Sequence, residues 1–329
     1  MIRTLGKSKM QVSAMGMGCW AIGGPWTIDQ GDGVIQAGWG KIDDKESVRA
    51  IHAGLDMGVT FFDTAANYGT GHSEHVLGQA LQGRRDKVVI ATKFGFLVDE
   101  AKKEVVADDG QVLKNLRKDC ENSLRRLNTD YIDIFQLHKG NYEPELARQL
   151  IPELEKLVSE GKIRWFGWST DDPERAKVFA EAEHCSTVQF DLNVIRDNPA
   201  MRAVCQDFDL GGINKSPLYR GILTGKFDSN TVFPEDDIRH GSDFSSGLGA
   251  RLLAQLAEVR SILTEKGHSL PQASLAYIWA LDERMVPIPG FKSVKQIQEN
   301  AGAMELGPLD SEQVQRIRDI LQEMQARSD

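Results

Sequence analysis

Short apolar runs alternate with amphipathic stretches along nearly the whole chain, with the same rhythm throughout. Residues 60–63, 88–93, 131–137, 163–169 and 187–190 are short, rich in β-branched and aromatic side chains, and read as strands. Residues 15–20, 211–216 and 285–288 add three more. Between them, residues 44–57, 73–82, 113–127, 144–160, 172–183 and 199–207 read as helices, the second capped by Ser73. The helix at 113–127 shows its period most clearly, with Leu113, Leu116, Cys120, Leu124 and Leu127 on one apolar face. Further helices are predicted at 249–266, 271–282, 293–303 and 311–326. A hairpin precedes everything: residues 2–5 and 10–12, joined by Gly6-Lys7-Ser8-Lys9. Eight strands, each followed by at least one helix, exceed the usual doubly wound sheet. The pattern predicts a single domain over 1–329, a (β/α)8 TIM barrel with a short N-terminal hairpin and an extra C-terminal helix. Two irregular segments interrupt it: a Gly-rich loop at 23–43 with Trp26 and Trp39, and an excursion at 220–248.

Composition narrows the setting. The chain of 329 residues is 41% hydrophobic and 26% charged, ordinary for a soluble globular protein. No run approaches a membrane span, and the opening M-I-R-T-L-G-K-S-K-M lacks a signal-peptide core. Cys19, Cys120, Cys185 and Cys205 are widely spaced, which indicates neither a disulfide framework nor zinc and predicts a cytoplasmic protein. The formal charge of −9, with no dense Lys/Arg block, argues against a nucleic-acid partner but leaves room for an anionic small ligand.

Chemistry collects at the predicted strand ends. In a barrel these form one face, and strands two to six end in or near Asp63, Lys93, His138, Ser169 and Gln189, with Tyr68 on the loop after Asp63. The set fits carbonyl reduction by hydride transfer, in which the new oxyanion needs a proton. Tyr68 can give it, and an adjacent Lys93 ammonium, held by Asp63, is expected to lower the phenol's pKa from its usual ~10. His138 could hydrogen-bond the substrate oxygen, and Ser169 and Gln189 suit the carboxamide of a nicotinamide.

Other motifs carry less. Gly69-Thr70-Gly71 lacks the third glycine of a dinucleotide loop, since Glu74 occupies that place. Gly6-Lys7-Ser8 lacks the upstream glycine of a P-loop. His72 and His75 read as a solvated helix face, not metal ligands, and the site is predicted to need no metal.

The residues together resemble the aldo-keto reductases, in a bacterial, longer-looped branch acting on small aldehydes and sugar-like carbonyls. D-T-A-A-N-Y-G at 63–69 with S-E at 73–74, A-T-K ending at Lys93, L-H at 137–138, G-W-S at 167–169, V-Q at 188–189, S-P-L-Y-R-G-I-L-T-G-K at 216–226 and I-P-G at 288–290 follow in family order. The resemblance implies bound NADPH/NADP+ and a catalytic tetrad of Asp63, Tyr68, Lys93 and His138. It implies cofactor contacts from Trp20, Ser169, Thr170 and Gln189, then from Lys215, Ser216, Pro217, Leu218, Arg220, Gly221, Leu223, Thr224, Gly225 and Lys226. Gly290, Lys292, Ser293, Gln296, Glu299 and Asn300 would complete them, and the helix opening there, with Lys292 and Lys295, predicts a preference for NADPH over NADH. Trp20, Trp26, Trp39, Tyr68 and His138 would shape the pocket of a small carbonyl substrate. Three residues depart from the family pattern: Thr170 for Asn, Lys215 for a stacking aromatic, and Gln296 for Arg. The expected assembly is a monomer or small homo-oligomer without membrane association. The alternative is a cofactor-binding regulatory subunit resembling the potassium-channel β-subunits.

Overall fold

The computed structural model describes residues 1–29, 31 and 33–326; positions 30 and 32 of the first long loop and 327–329 of the predicted domain lie outside them. The chain begins with an antiparallel pair, β1 (Ile2–Leu5) and β2 (Met10–Ser13), followed by β3 (Gly16–Gly18). Two short strands, β4 (Thr27–Asp29) and β5 (Val34–Gln36), lie in the first long loop, before α1 (Asp44–Asp56) and β6 (Phe61–Asp63). Then come α2 (His72–Ala80), β7 (Val89–Phe94), β8 (Leu97–Asp99), β9 (Glu104–Val106), α3 (Val112–Leu127) and β10 (Ile132–Leu137). The alternation continues through α4 (Pro144–Ser159), β11 (Ile163–Ser169), α5 (Pro173–Ala180), β12 (Cys185–Asp191), α6 (Pro199–Asp207) and β13 (Gly211–Lys215). After the excursion come α7 (Gly247–Thr264), α8 (Leu270–Leu281), β14 (Met285–Pro287), α9 (Val294–Leu306) and α10 (Ser311–Ala326).

Eight strands form one parallel sheet in the order β3, β6, β7, β10, β11, β12, β13, β14. Its two ends meet at a bridge between Gly18 and Gly290, which makes the sheet a (β/α)8 barrel. A Cβ at Gly18 would lie 2.6 Å from the Ile288 carbonyl oxygen, so only glycine permits that approach. Alternation along each strand separates two cores. Phe61, Val89, Ala91, Ile134, Ile213 and Val286 fill the barrel interior. Neighbouring positions such as Phe62, Ile90, Phe135 and Val188 face the helices. The hairpin stops the N-terminal end: Leu5, Met10 and Val12 join the interior cluster, and Lys7 N donates to Asp209 O.

Several elements differ from the sequence reading. The first barrel strand is Gly16–Gly18, shorter than predicted, and Trp20 already lies in the turn beyond it. Gly71, at φ +92°, stands at the N-cap of α2; Ser73 lies inside the helix and its Oγ donates to Cys19 O. Leu113 is exposed, because α3 starts at Val112 and turns that side chain inward instead. The loops also hold a sheet that no pattern announced, in the order β5, β4, β9, β8. Ile28 and Val105 of that sheet pack on Trp26, Ala65 and Tyr68, forming a canopy over the C-terminal mouth. The excursion joins it through Ile238 N to Gly38 O and Gly40 N to Asp236 O.

Candidate active site

Two residues beyond each interior apolar position, the strands present polar side chains at the mouth. Phe61 leads to Asp63, Ala91 to Lys93, Ile134 to Gln136 and then His138, and Ile213 to Lys215. Asp63 and Lys93 are both buried, a costly arrangement for two charges unless each is fully partnered. Both are. Lys93 Nζ donates to Asp63 Oδ1 at 2.6 Å, to Thr64 O at 2.7 Å and to Tyr68 Oη at 3.4 Å, which uses all three ammonium hydrogens. The other Asp63 oxygen accepts Gln189 Nε2 at 2.7 Å and Gln136 Nε2 at 3.3 Å.

The phenol oxygen of Tyr68 therefore accepts from a cation and keeps its own proton to donate. Its pKa corrects the sequence expectation, being pushed up well above the usual value. Burial is the main cause, and Asp63 and Cys19 push the same way; the Lys93 charge is already spent on Asp63. His138 is held far below its usual pKa, first by burial and then by the charges of Lys93, Lys215 and Lys139, so its ring is neutral. Its Nδ1 donates to Asn67 Oδ1 at 2.9 Å, which leaves Nε2 as an acceptor. Aromatic rings frame the pair: Trp20 stacks on Tyr68 at 5.8 Å, Trp39 meets Trp20 edge-on, and Phe96 meets His138 edge-on. Trp26 belongs to the same cluster as Tyr68.

The residues expected to hold a nicotinamide cofactor fall into three groups. At the mouth, Ser169 Oγ lies 3.4 Å from Gln189 Oε1, both buried. Thr170 is turned away, its hydroxyl donating to Gly140 O at 2.7 Å. Lys215 is on the interior register, not on the helix face, and its Nζ pairs with Asp171 Oδ2 at 2.9 Å. Beyond it, Ser216, Arg220, Gly221 and Gly225 have positive φ, and the chain from Ser216 through Pro217, Leu218, Leu223 and Thr224 to Lys226 curls into a tight loop. A cavity of about 520 Å³ lies against this curl, lined by Arg196, Ser216, Arg220 and Arg239 among others. A nicotinamide carboxamide and a pyrophosphate fit these two groups.

The third group is organised differently from the expectation. Ser293 caps α9, accepting Gln296 N, while Gln296 Oε1 accepts Lys292 N. At this helix opening the Val294 amide donates to the carboxylate of Glu46 on α1 at 2.9 Å. Lys292 Nζ contacts Trp39 O and feels Asp237 and Asp236, so it anchors the canopy. Glu299 O accepts Gln272 Nε2, Asn300 is buried, and Gly290 bridges Gly18. His72 and His75 pair with Asp44 and Glu100 on the surface.

Sequence reasoning missed Asn67, Gln136 and Phe96. Gln136 was detectable as a polar residue at an interior strand position two before His138. Asn67 and Phe96 sit on loops whose path no periodicity reveals.

A parallel (β/α)8 barrel with this lysine-centred mouth defines an oxidoreductase. The chain belongs to the aldo/keto reductase family, whose family model matches residues 14–322. It is 31% identical over 281 residues to the aldo-keto reductase YhdN of Bacillus subtilis, covering 83% of this chain and 79% of that protein. It is 28% identical to the NADP(+) aldo-keto reductase yakc of Schizosaccharomyces pombe, covering 94% and 88%. Among solved structures, the glycerol dehydrogenase AKR11B4 of Gluconobacter oxydans superposes with a TM-score of 0.80 at 30% identity, covering 98% and 95%. An aldo/keto reductase of Klebsiella pneumoniae in complex with NADP and acetate gives 0.68 at 26%, covering 97% and 95%. NADP(H) is the cofactor of this family. Among the described residues, no helix is long and apolar enough to cross a membrane.

Proposed function

We propose that this protein reduces aldehyde and ketone carbonyls to alcohols, with Tyr68 as proton donor. The observation that carries the reading is the sharing of the three Lys93 hydrogens among Asp63, Thr64 and Tyr68. Bound NADPH supplies the hydride. Ser169 and Gln189 would hold its carboxamide, and the Ser216–Lys226 curl with Arg196 and Arg220 would hold its pyrophosphate. As charge develops on the carbonyl oxygen, the Tyr68 hydroxyl, free on its donor side, gives up its proton. The resulting phenolate lies beside Lys93, whose charge Asp63 keeps in place. A phenol with a raised pKa stays protonated until the oxyanion forms, which suits an acid. Neutral His138, oriented by Asn67, has no proton on Nε2 to compete and instead positions the reacting groups. The same groups serve in reverse for alcohol oxidation.

The test is NADPH absorbance followed with purified protein and a panel of short aldehydes and ketones. Turnover of at least one carbonyl is expected. NADPH binding without oxidation by any of them would overturn the reading.

A further inference from the structure

Burying an amide side chain costs free energy unless both of its ends are hydrogen-bonded. Below the mouth the barrel interior is apolar, with Phe61, Ala91, Ile134 and Ile213 in one cluster. Gln136 breaks that pattern. It is fully buried on β10, level with Lys93 of β7 on one side and with Gly167 of β11 on the other. Its Oε1 is buried and finds no partner among the described residues. An apolar side chain of similar size would avoid that cost. Its Nε2 donates to Asp63 Oδ2 at 3.3 Å, and a carboxylate, which only accepts, fixes that orientation of the amide.

We propose that Gln136 is a positioning residue for the proton transfer: its amide pins the second oxygen of Asp63, so that the carboxylate meets Lys93 through one oxygen only and the ammonium keeps a hydrogen for Tyr68. The inference rests on the carbonyl-reductase reading and deepens it. A carboxylate free to turn would offer both oxygens to Lys93. The ammonium has three hydrogens, and one already goes to Thr64 O at 2.7 Å. A second one drawn to Asp63 would leave none for Tyr68 Oη, which lies 3.4 Å away. As the O–H bond of Tyr68 breaks and that of the alcohol forms, the new phenolate would then lack its charge-assisted hydrogen bond. Gln189 Nε2 holds the same Asp63 oxygen at 2.7 Å, but its Oε1 accepts Ser169 Oγ and its side chain is shared with the cofactor site. Gln136 has no exposed surface, so its grip does not depend on what the mouth holds.

The experiment measures the single-turnover rate with bound NADPH, on an aldehyde that wild type accepts, for Gln136→Met and Gln136→Glu from pH 6 to 9. Methionine fills the interior without a donor. Glutamic acid keeps the shape: while protonated its carboxyl donates to Asp63 as the amide does, and once ionised it faces Asp63 with a like charge. Burial and Asp63 both hold that proton above the usual carboxylate range, which brings its loss towards this pH window. Rates are read relative to wild type at the same pH, which cancels the titration of Tyr68 and His138. Gln136→Met should be about tenfold slow throughout, the low end for a hydrogen bond to a charged group because Gln189 still holds the oxygen. Its NADPH affinity and Tm should match those of wild type. Gln136→Glu should approach wild type at pH 6 and lose that recovery towards pH 9. Circular dichroism on both variants ensures that a folding defect in one leaves the other to decide. A methionine variant within twofold of wild type overturns the inference, and so does a glutamate variant slowed equally at every pH, as lost packing alone would give; the reductase reading stands in either case. Turnover of no carbonyl by wild type overturns that reading and this inference with it.

Discussion

Replacing Asp63 with asparagine keeps the shape of the strand end but deletes the charge that faces Lys93. Burial is the largest influence on Lys93 and lowers its pKa; Asp63 is the largest influence restoring it. Without that carboxylate the lysine has two costly options. Staying charged costs about 3–5 kcal/mol, the usual penalty for removing one partner of a buried pair. Releasing the proton costs about 1.36 kcal/mol per pH unit below 10.5, roughly 6 kcal/mol at pH 6 but only about 1.4 kcal/mol at pH 9.5. The protein takes the cheaper route, so the deficit is about 3–5 kcal/mol at pH 6 and about 1–2 kcal/mol at pH 9.5. The sign follows from proton counting. Where a lysine's folded pKa lies below its unfolded value, the unfolded chain binds more protons, and stability rises with pH across that window. Asp63→Asn widens the window downward. With an unfolding entropy of about 2.1 cal/mol/K per residue over 329 residues, 4 kcal/mol corresponds to about 6 °C in Tm. Thermal melts of wild type and Asp63→Asn by circular dichroism at pH 6, 8 and 9.5 should show a Tm gap that shrinks roughly threefold. A gap that stays constant with pH would refute the reasoning, since the loss would then owe nothing to Lys93.

Two further outcomes follow from other parts of the molecule. Glu46→Gln removes a carboxylate from the N-terminus of α9, so NADP+ binding, titrated by tryptophan fluorescence, should tighten about two- to fivefold relative to NAD+; equal changes for both cofactors would mean that no phosphate approaches there. Leu5→Ala opens a cavity where the hairpin stops the barrel, so denaturant unfolding should show a loss of about 2–5 kcal/mol while kcat/KM changes little, the mouth being at the opposite end; a comparable loss in kcat/KM would show that the hairpin supports the mouth.

The barrel was legible in the sequence because each strand–helix unit is local and its periods are strong. The strand-end chemistry was legible for the same reason: once the strands are placed, alternation dictates that Asp63 and Lys93 share the interior register. What stayed hidden is non-local. The canopy sheet pairs Asp29 with Val106 through strands of three residues, too short to show a period. Lys292 was assigned to a phosphate on its neighbours alone, yet its amine reaches Trp39 O, 253 positions away. The sign of the Tyr68 shift was misread because burial and the prior claim of Asp63 on Lys93 are properties of packing, which sequence spacing does not carry.

The central claim is that Tyr68 gives the proton, and Tyr68→Phe tests it most directly. Among the described residues the hydroxyl has one partner, Lys93 at 3.4 Å, so its removal should leave the ring stacked on Trp20 and the fold unchanged. The measurement is single-turnover reduction of an aldehyde that wild type accepts, with NADPH bound and its affinity titrated in parallel. A fall of about a hundred- to ten-thousand-fold in rate with unchanged NADPH affinity is the predicted result. A rate within a few-fold of wild type would contradict the account.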